Sequence, residues 1–321
     1  MIEVNHLTKQ YGDHIAVDDL SFTIEKGHIY GFLGPNGAGK STTMNIMTGC
    51  LSATKGDVKI GGYDIFSQPL EAKKLIGYLP EIPPVYIDNT PEEYLRFVAE
   101  AKGMAKAEIP AEVERVMAVT QITHMRRRLI KHLSKGYRQR VGIAEAMVGD
   151  PEVIILDEPT VGLDPMQIIE IRELIKTLGE NHTVILSSHI LSEVQAVCEK
   201  VIIINHGKMI AYDTPANLES LFASATRISL TVDGSAENAK ALLAGIEGID
   251  RIEVGREYEG KTELVVVAKL SEDDSLCRSI FNAFADAKTA ILKLAAESAT
   301  LEDIFINLTG ENVAVQTQEA M

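Results

Sequence analysis

Apolar residues in the first two-thirds of the chain cluster into short β-branched runs, separated by stretches with helical period. The runs at 28–33, 153–156, 183–187 and 201–205 have strand length, and 40–48 follows the first of them with the pattern of a helix. Strands alternating with helices in this way predict parallel strands joined by crossover helices, an α/β architecture. Residues 1–12 read as a strand and a turn. Residues 82–145 break the alternation and read as a mostly helical insertion. Its first helix is announced by Thr90 as cap, Pro91 at the first helical position and Glu93 completing a capping box.

After about Leu221 the pattern changes. It predicts strand 226–232, helix 236–244, strands 249–254 and 261–269, helix 273–286, strand 289–294 and helix 300–308. The order βαββαβ plus one helix predicts a small ferredoxin-like α+β module. The turn-forming Asp213-Thr214-Pro215 marks the boundary. Residues 1–220 are therefore read as one domain and 221–310 as a second, with 311–321 a disordered tail.

A length of 321 residues agrees with two domains, and 45% apolar residues are enough for a large core. The formal charge of −15 makes nucleic acid and anionic lipid poor first partners. It divides as 22 basic against 29 acidic residues in 1–220 and 9 against 17 beyond. The smaller domain is the more acidic per residue. Only 126–128, three consecutive arginines, runs against this charge, and it is read as a solvated face or a contact for an acidic partner. The longest apolar runs are far below the roughly 20 residues of a membrane span. The N-terminus has no secretory pattern, and a cytoplasmic location is expected. Cys50, Cys198 and Cys277 lack paired spacing, which argues against a disulfide framework or a zinc site. All eight histidines lie at or before His206, so the second domain has none for catalysis and reads as regulatory or structural.

Directly after the run at 28–33 comes Gly34-Pro35-Asn36-Gly37-Ala38-Gly39-Lys40-Ser41, then Thr42 and a helical stretch. This is G-x-x-x-x-G-K-[ST] in its strand–loop–helix setting. Backbone N–H groups curling around phosphate oxygens need glycine at the tight positions, and the helix N-terminus adds partial positive charge. Lys40 is expected to reach the β- and γ-phosphates of ATP, and the Ser41 hydroxyl to coordinate Mg²⁺. The run Val153–Leu156 ends in Asp157 and Glu158. Two acids at a strand end form an ordinary polar terminus by themselves. Downstream of a phosphate loop they read as a metal-side acid, Asp157, and a base beside the attacking water, Glu158.

Leu133-Ser134-Lys135-Gly136-Tyr137-Arg138-Gln139-Arg140 precedes this acidic strand. The arrangement resembles the signature sequence of ATP-binding cassette (ABC) proteins, P-loop NTPases with an inserted helical subdomain. The resemblance covers about residues 2–220. It extends to Tyr11, to Gly162-Leu163-Asp164 after the acid pair and to His189 after the run at 183–187. It implies that Tyr11 stacks on adenine and that His189 contacts the γ-phosphate. It further implies a head-to-tail dimer, a homodimer or a heterodimer with another such ATPase, in which Ser134 and Gly136 of one chain contact the γ-phosphate held by the other. A serine opening a helix suits an anion independently. The chain departs from the usual pattern with Lys135 in place of glycine and Tyr137 in place of glutamine. It also carries Glu81 where many members have the glutamine that senses the γ-phosphate. Segments 76–81, 157–165 and 300–308 look like the branch serving ABC-2-type exporters.

The resemblance implies an ATP-hydrolysing transporter subunit on a separate integral-membrane permease, attached to the inner face of the membrane. No nucleic-acid partner is expected. The rival reading is a soluble ATPase of the same type clamping ribosomes or DNA. The helix after Thr90 places Tyr94, Leu95 and Val98 on one side, for internal packing or, with 82–86, for a groove that takes a permease helix.

Overall fold

A computed structural model describes residues 1–222, 225–269 and 275–297. The chain divides into two compact units, Met1–Thr214 and Pro215–Met321.

The first unit contains two sheets. The larger has the strand order Lys208–Asp213, Lys200–Asn205, Ile29–Leu33, Thr183–Ser188, Val153–Leu156, Ile76–Leu79. Its last five strands are parallel, and Lys208–Asp213 turns back antiparallel at the edge. Every residue of Ile29–Leu33, Val153–Leu156 and Thr183–Ser188 is buried. Strands covered on both faces have no polar side to show, which is why they read as continuous apolar runs.

The smaller sheet is antiparallel, in the order His14–Ile24, Ile2–Tyr11, Lys55–Ile60, Tyr63–Asp64. Only its first strand is legible in the sequence. Lys55–Ile60 buries just Val58 and Ile60, and four polar or glycine residues precede or separate them. The two sheets share a core in which Phe22 meets Phe32 edge to face at 5.4 Å.

Ile76–Leu79 and Val153–Leu156 are neighbours in the sheet, and the helical insertion is carried on the connection between them. It contains helices Pro91–Ala101, Ile109–Val119 and Lys135–Met147. The capping box forms as read: Glu93 N donates to Thr90 Oγ1 and Thr90 N donates to Glu93 Oε2 at 2.8 Å. A cap of this kind contributes about 1 kcal/mol. Tyr94, Leu95 and Val98 all turn inward, so that face packs internally rather than lining a groove. Of the three arginines, Arg126 pairs with Glu92 and Glu114 on two different helices. It braces the insertion.

The second unit carries a four-stranded antiparallel sheet in the order Ile249–Tyr258, Lys261–Lys269, Ala225–Asp233, Ile291–Glu297. Helices Ala236–Leu243 and Ser275–Asp286 contribute Leu243, Ile280 and Phe284 to a core with Ile228, Leu230, Val232, Leu264 and Val266. The last described strand begins two residues later than its sequence pattern suggests, after Lys288 in the left-handed region (φ 54°). The helix expected at 300–308 and the tail at 311–321 lie outside the described residues.

Gly77 shows how tightly the insertion sits on the large sheet. A Cβ there would collide with the Ala146 carbonyl oxygen at the end of Lys135–Met147 and come within 3.1 Å of Pro151. Gly77→Ala is expected to destabilise the first unit by about 1–3 kcal/mol, because the obstructing atom is backbone and cannot rotate away. A lowered melting temperature checks this, and a native one would show that helix and strand can separate freely.

Candidate active site

The buried strand Ile29–Leu33 delivers the chain into loop 34–39, which turns into helix Lys40–Met47. Gly39 is required twice. Its φ is +104°, and a Cβ would stand 2.5 Å from the Ala16 carbonyl oxygen. Gly37 also lies at positive φ, and a Cβ on Gly34 would collide with the Ile204 carbonyl oxygen. The result is a loop of bare backbone opening a helix, the geometry that binds phosphate. Lys40 is buried, and its Nζ donates to the carbonyls of Gly34 (2.8 Å) and Pro35 (3.3 Å).

In-register pairing of Val153–Leu156 with Thr183–Ser188 brings two strand ends beside this loop. Ser187 joins them: its Oγ donates to Asp157 Oδ1 at 2.5 Å and accepts from Glu158 N at 2.8 Å. Ser41 Oγ lies 3.2 Å from the same Asp157 oxygen. These two groups offer hard oxygens of the kind Mg²⁺ takes, and the donor chemistry fits that ion. Glu158 is buried at φ +49°. One of its oxygens stands 3.5 Å from Lys40 Nζ and the other 2.9 Å from His189 Nδ1. A carboxylate, a lysine and a histidine thus converge beside the glycine loop.

A cleft of about 440 Å³ opens over these groups. It is lined by Tyr11, Asn36, Gly37, Ala38, Gly39, Lys40, Ser41, Thr42, Glu81, Glu158 and His189. Gly34 and Asp157 adjoin it through the bonds to Lys40 and Ser41. Tyr11 is exposed at the rim. His14, Ala16 and Val161 also line the cleft. No motif points to them. Strand His14–Ile24 belongs to the other sheet, and only folding lays its start over the phosphate loop.

Ser134 and Gly136 are not in this cleft. They line a separate hollow of about 160 Å³ with Tyr137, Arg140, Gln167, Glu170 and Ile171. Ser134 Oγ caps helix Lys135–Met147, accepting from Tyr137 N at 3.4 Å, and is exposed. Both unusual signature residues find a place. The Lys135 ammonium lies over Gly162, and Tyr137 OH stands 3.1 Å from His124 Nε2.

A glycine-cradled loop between a buried parallel strand and a helix, with an acid pair at a neighbouring strand end, defines a P-loop nucleoside triphosphatase. Residues 17–161 match the family described as ABC transporter. The chain is 33% identical to the linearmycin resistance ATP-binding protein LnrL of Bacillus subtilis (strain 168), over 98% of this chain and 99% of that one. It is 40% identical to the bacitracin transport ATP-binding protein BcrA of Bacillus licheniformis, over 65% of this chain and 68% of the relative. Among solved structures it resembles cbiO1 of Clostridium perfringens, part of the ABC transporter complex cbiONQ. The TM-score there is 0.63 at 28% identity, covering 68% of this chain and 90% of the other. The chain belongs to the ATP-binding subunits of ABC transporters, and it is an ATPase.

Ser187→Ala removes both bonds that fix the acid pair and leaves Glu158 N buried without an acceptor. A loss of about 1–3 kcal/mol in stability is expected, with reduced ATP turnover. Thermal melting and steady-state hydrolysis check the two together.

Proposed function

We propose that the chain is the ATP-binding and ATP-hydrolysing subunit of an ABC-2-type exporter, acting as a head-to-tail dimer on a separate membrane permease. The observation that carries this reading is the likeness to LnrL, which runs through both units and nearly the whole of each chain. In the second unit, the antiparallel order and the βαββαβ connections support a ferredoxin-like accessory domain beginning near residue 221. Among the described residues no helix is long and apolar enough to cross a membrane. A permease would supply the spans and hold this subunit at the cytoplasmic face. Ile82, Tyr86, Ile87 and, on the insertion's first helix, Phe97 are exposed, and the Tyr86 ring meets Tyr94 edge to face at 5.6 Å and Phe97 at a tilt at 5.3 Å. This apolar patch suits a permease segment.

Within one cassette the glycine loop and Lys40 hold the phosphates, and Tyr11 holds the base. With Glu81, Asp157 and Glu158 near a polyanion and Lys40 the only lysine lining the cleft among the described residues, bound ATP needs a further cation. Ser41 and Asp157 would hold Mg²⁺, which offsets phosphate charge. Glu158 orients and deprotonates the attacking water. His189, hydrogen-bonded to Glu158, faces the γ-phosphate. Ser134 stands exposed at a helix N-terminus away from this cleft, with the buried Gly136 two residues further into the helix, and this helix end would complete the site of a second chain. A clamp on ribosomes or DNA is disfavoured by the −15 charge and by the engagement of Arg126 in internal ion pairs.

Two results test this. Glu158→Gln is expected to retain ATP binding and lose roughly 10²–10⁴ in turnover, the range for a missing general base. Near-normal hydrolysis would remove Glu158 from that role. Lys40→Ala and Ser134→Arg chains are each expected to be inactive alone. A mixed dimer regenerates one intact site, so hydrolysis returns when tagged heterodimers form. If Ser134 served its own chain, every site in the mixture would carry a lesion and activity would stay at background.

A further inference from the structure

Glu193 is a buried carboxylate that no motif contains. It sits on helix Leu191–Val197, just after the histidine loop, and is 4% exposed. One oxygen, Oε2, accepts from two hydroxyls: Thr160 Oγ1 at 2.6 Å and Ser188 Oγ at 2.9 Å. Ser188 Oγ in turn accepts from Ile190 N at 3.0 Å, closing the turn that carries His189. The other oxygen, Oε1, is buried with no partner among the described residues. A buried oxygen left unpaired costs free energy that an apolar side chain would avoid. What the paired oxygen does must offset that cost.

Its two partners show what that is. Thr160 lies two residues after Glu158, and Ser188 immediately precedes His189. A single oxygen atom therefore ties the backbone carrying the acid to the backbone carrying the histidine. The tie is needed because Glu158 is held at φ +49°, a conformation that a side-chain-bearing residue keeps only when its surroundings impose it. The helix bearing Glu193 is itself fixed. Val194 packs so closely on Gly31, in the strand feeding the phosphate loop, that a Cβ there would stand 2.5 Å from its Cγ1. We propose that Glu193 is a positioning residue for ATP hydrolysis. Its Oε2 clamps Thr160 to Ser188 and thereby sets the 2.9 Å contact between Glu158 and His189. The inference rests on the roles proposed above for Glu158 and His189.

The test uses the full chain, with ATP turnover, KM for ATP and melting temperature measured for each variant. Glu193→Ala is expected to lower kcat about 10–100-fold, the scale of a displacement near 1 Å at a reacting group, with KM for ATP within about twofold of native. Glu193→Gln keeps an acceptor oxygen for both hydroxyls and is expected to stay within about threefold, with an unchanged pH profile. Thr160→Val combined with Ser188→Ala leaves the carboxylate in place and is expected to reproduce the Glu193→Ala loss. Should Glu193→Ala fail to fold, this pair decides by the same measures. A native kcat in Glu193→Ala or in the Thr160/Ser188 double variant overturns the clamp. So does a Glu193→Gln rate as low as that of Glu193→Ala, which would assign the effect to charge. Glu158→Gln measured in parallel separates the two readings. A native rate there overturns the role of Glu158, whereas a lost rate there beside a native Glu193→Ala rate overturns the clamp alone.

Discussion

The site depends on the register between two buried parallel strands. Pairing Leu156 with Leu186 sets the end of Val153–Leu156 beside the last residues of Thr183–Ser188, which runs two residues further. Asp157 and Glu158, just past the end of the first strand, then lie opposite Ser187 and Ser188, the last residues of the second, and His189, which follows them. The neighbouring strand Ile29–Leu33 pairs with Thr183–Ser188 and finishes at the same edge, where the phosphate loop begins. A slip of one residue would turn Ser187 away from Asp157 and remove the bond that holds both acids. Ligand sites at the carboxyl ends of parallel strands are general. Here the specific agent is the Ser187 hydroxyl.

Burial does the rest of the tuning. Lys40 and Glu158 are both nearly sealed from water and 3.5 Å apart, each satisfied by further hydrogen bonds. An unpaired charge in that position would be costly, so the lysine and the acid support one another until a phosphate competes for the lysine. The geometry thus gives the site an arrangement in which Glu158 is held by its neighbours rather than by solvent. The strained backbone of Glu158 shows how closely its position is imposed.

The signature departures fit this picture without contradiction. The Lys135 side chain, a long cation where glycine is usual, reaches over Gly162, whose φ is +69°. Tyr137 reaches His124 at the edge of the helical insertion, next to Arg140, which is tied to Thr120 and Glu170. The helix presenting Ser134 is therefore anchored on both sides by side chains that the signature pattern alone does not specify.

The sequence by itself determined the buried parallel strands, the phosphate loop, the acid pair and the cap at Thr90. In each case the physical cause is local: a strand sealed on both faces must be apolar throughout, a phosphate cradle must be glycine, and a helix start must satisfy its own N–H groups. Tertiary structure alone decided which side of the Thr90 helix faces inward, that Lys55–Ile60 is a strand, and that Arg126 braces two helices. It also decided that His14 and Ala16 roof the phosphate loop and that Glu193 spans Thr160 and Ser188. These contacts join residues from separate elements, most of them far apart along the chain. A polar side chain at such a position reads as an ordinary surface residue until the fold supplies its partner.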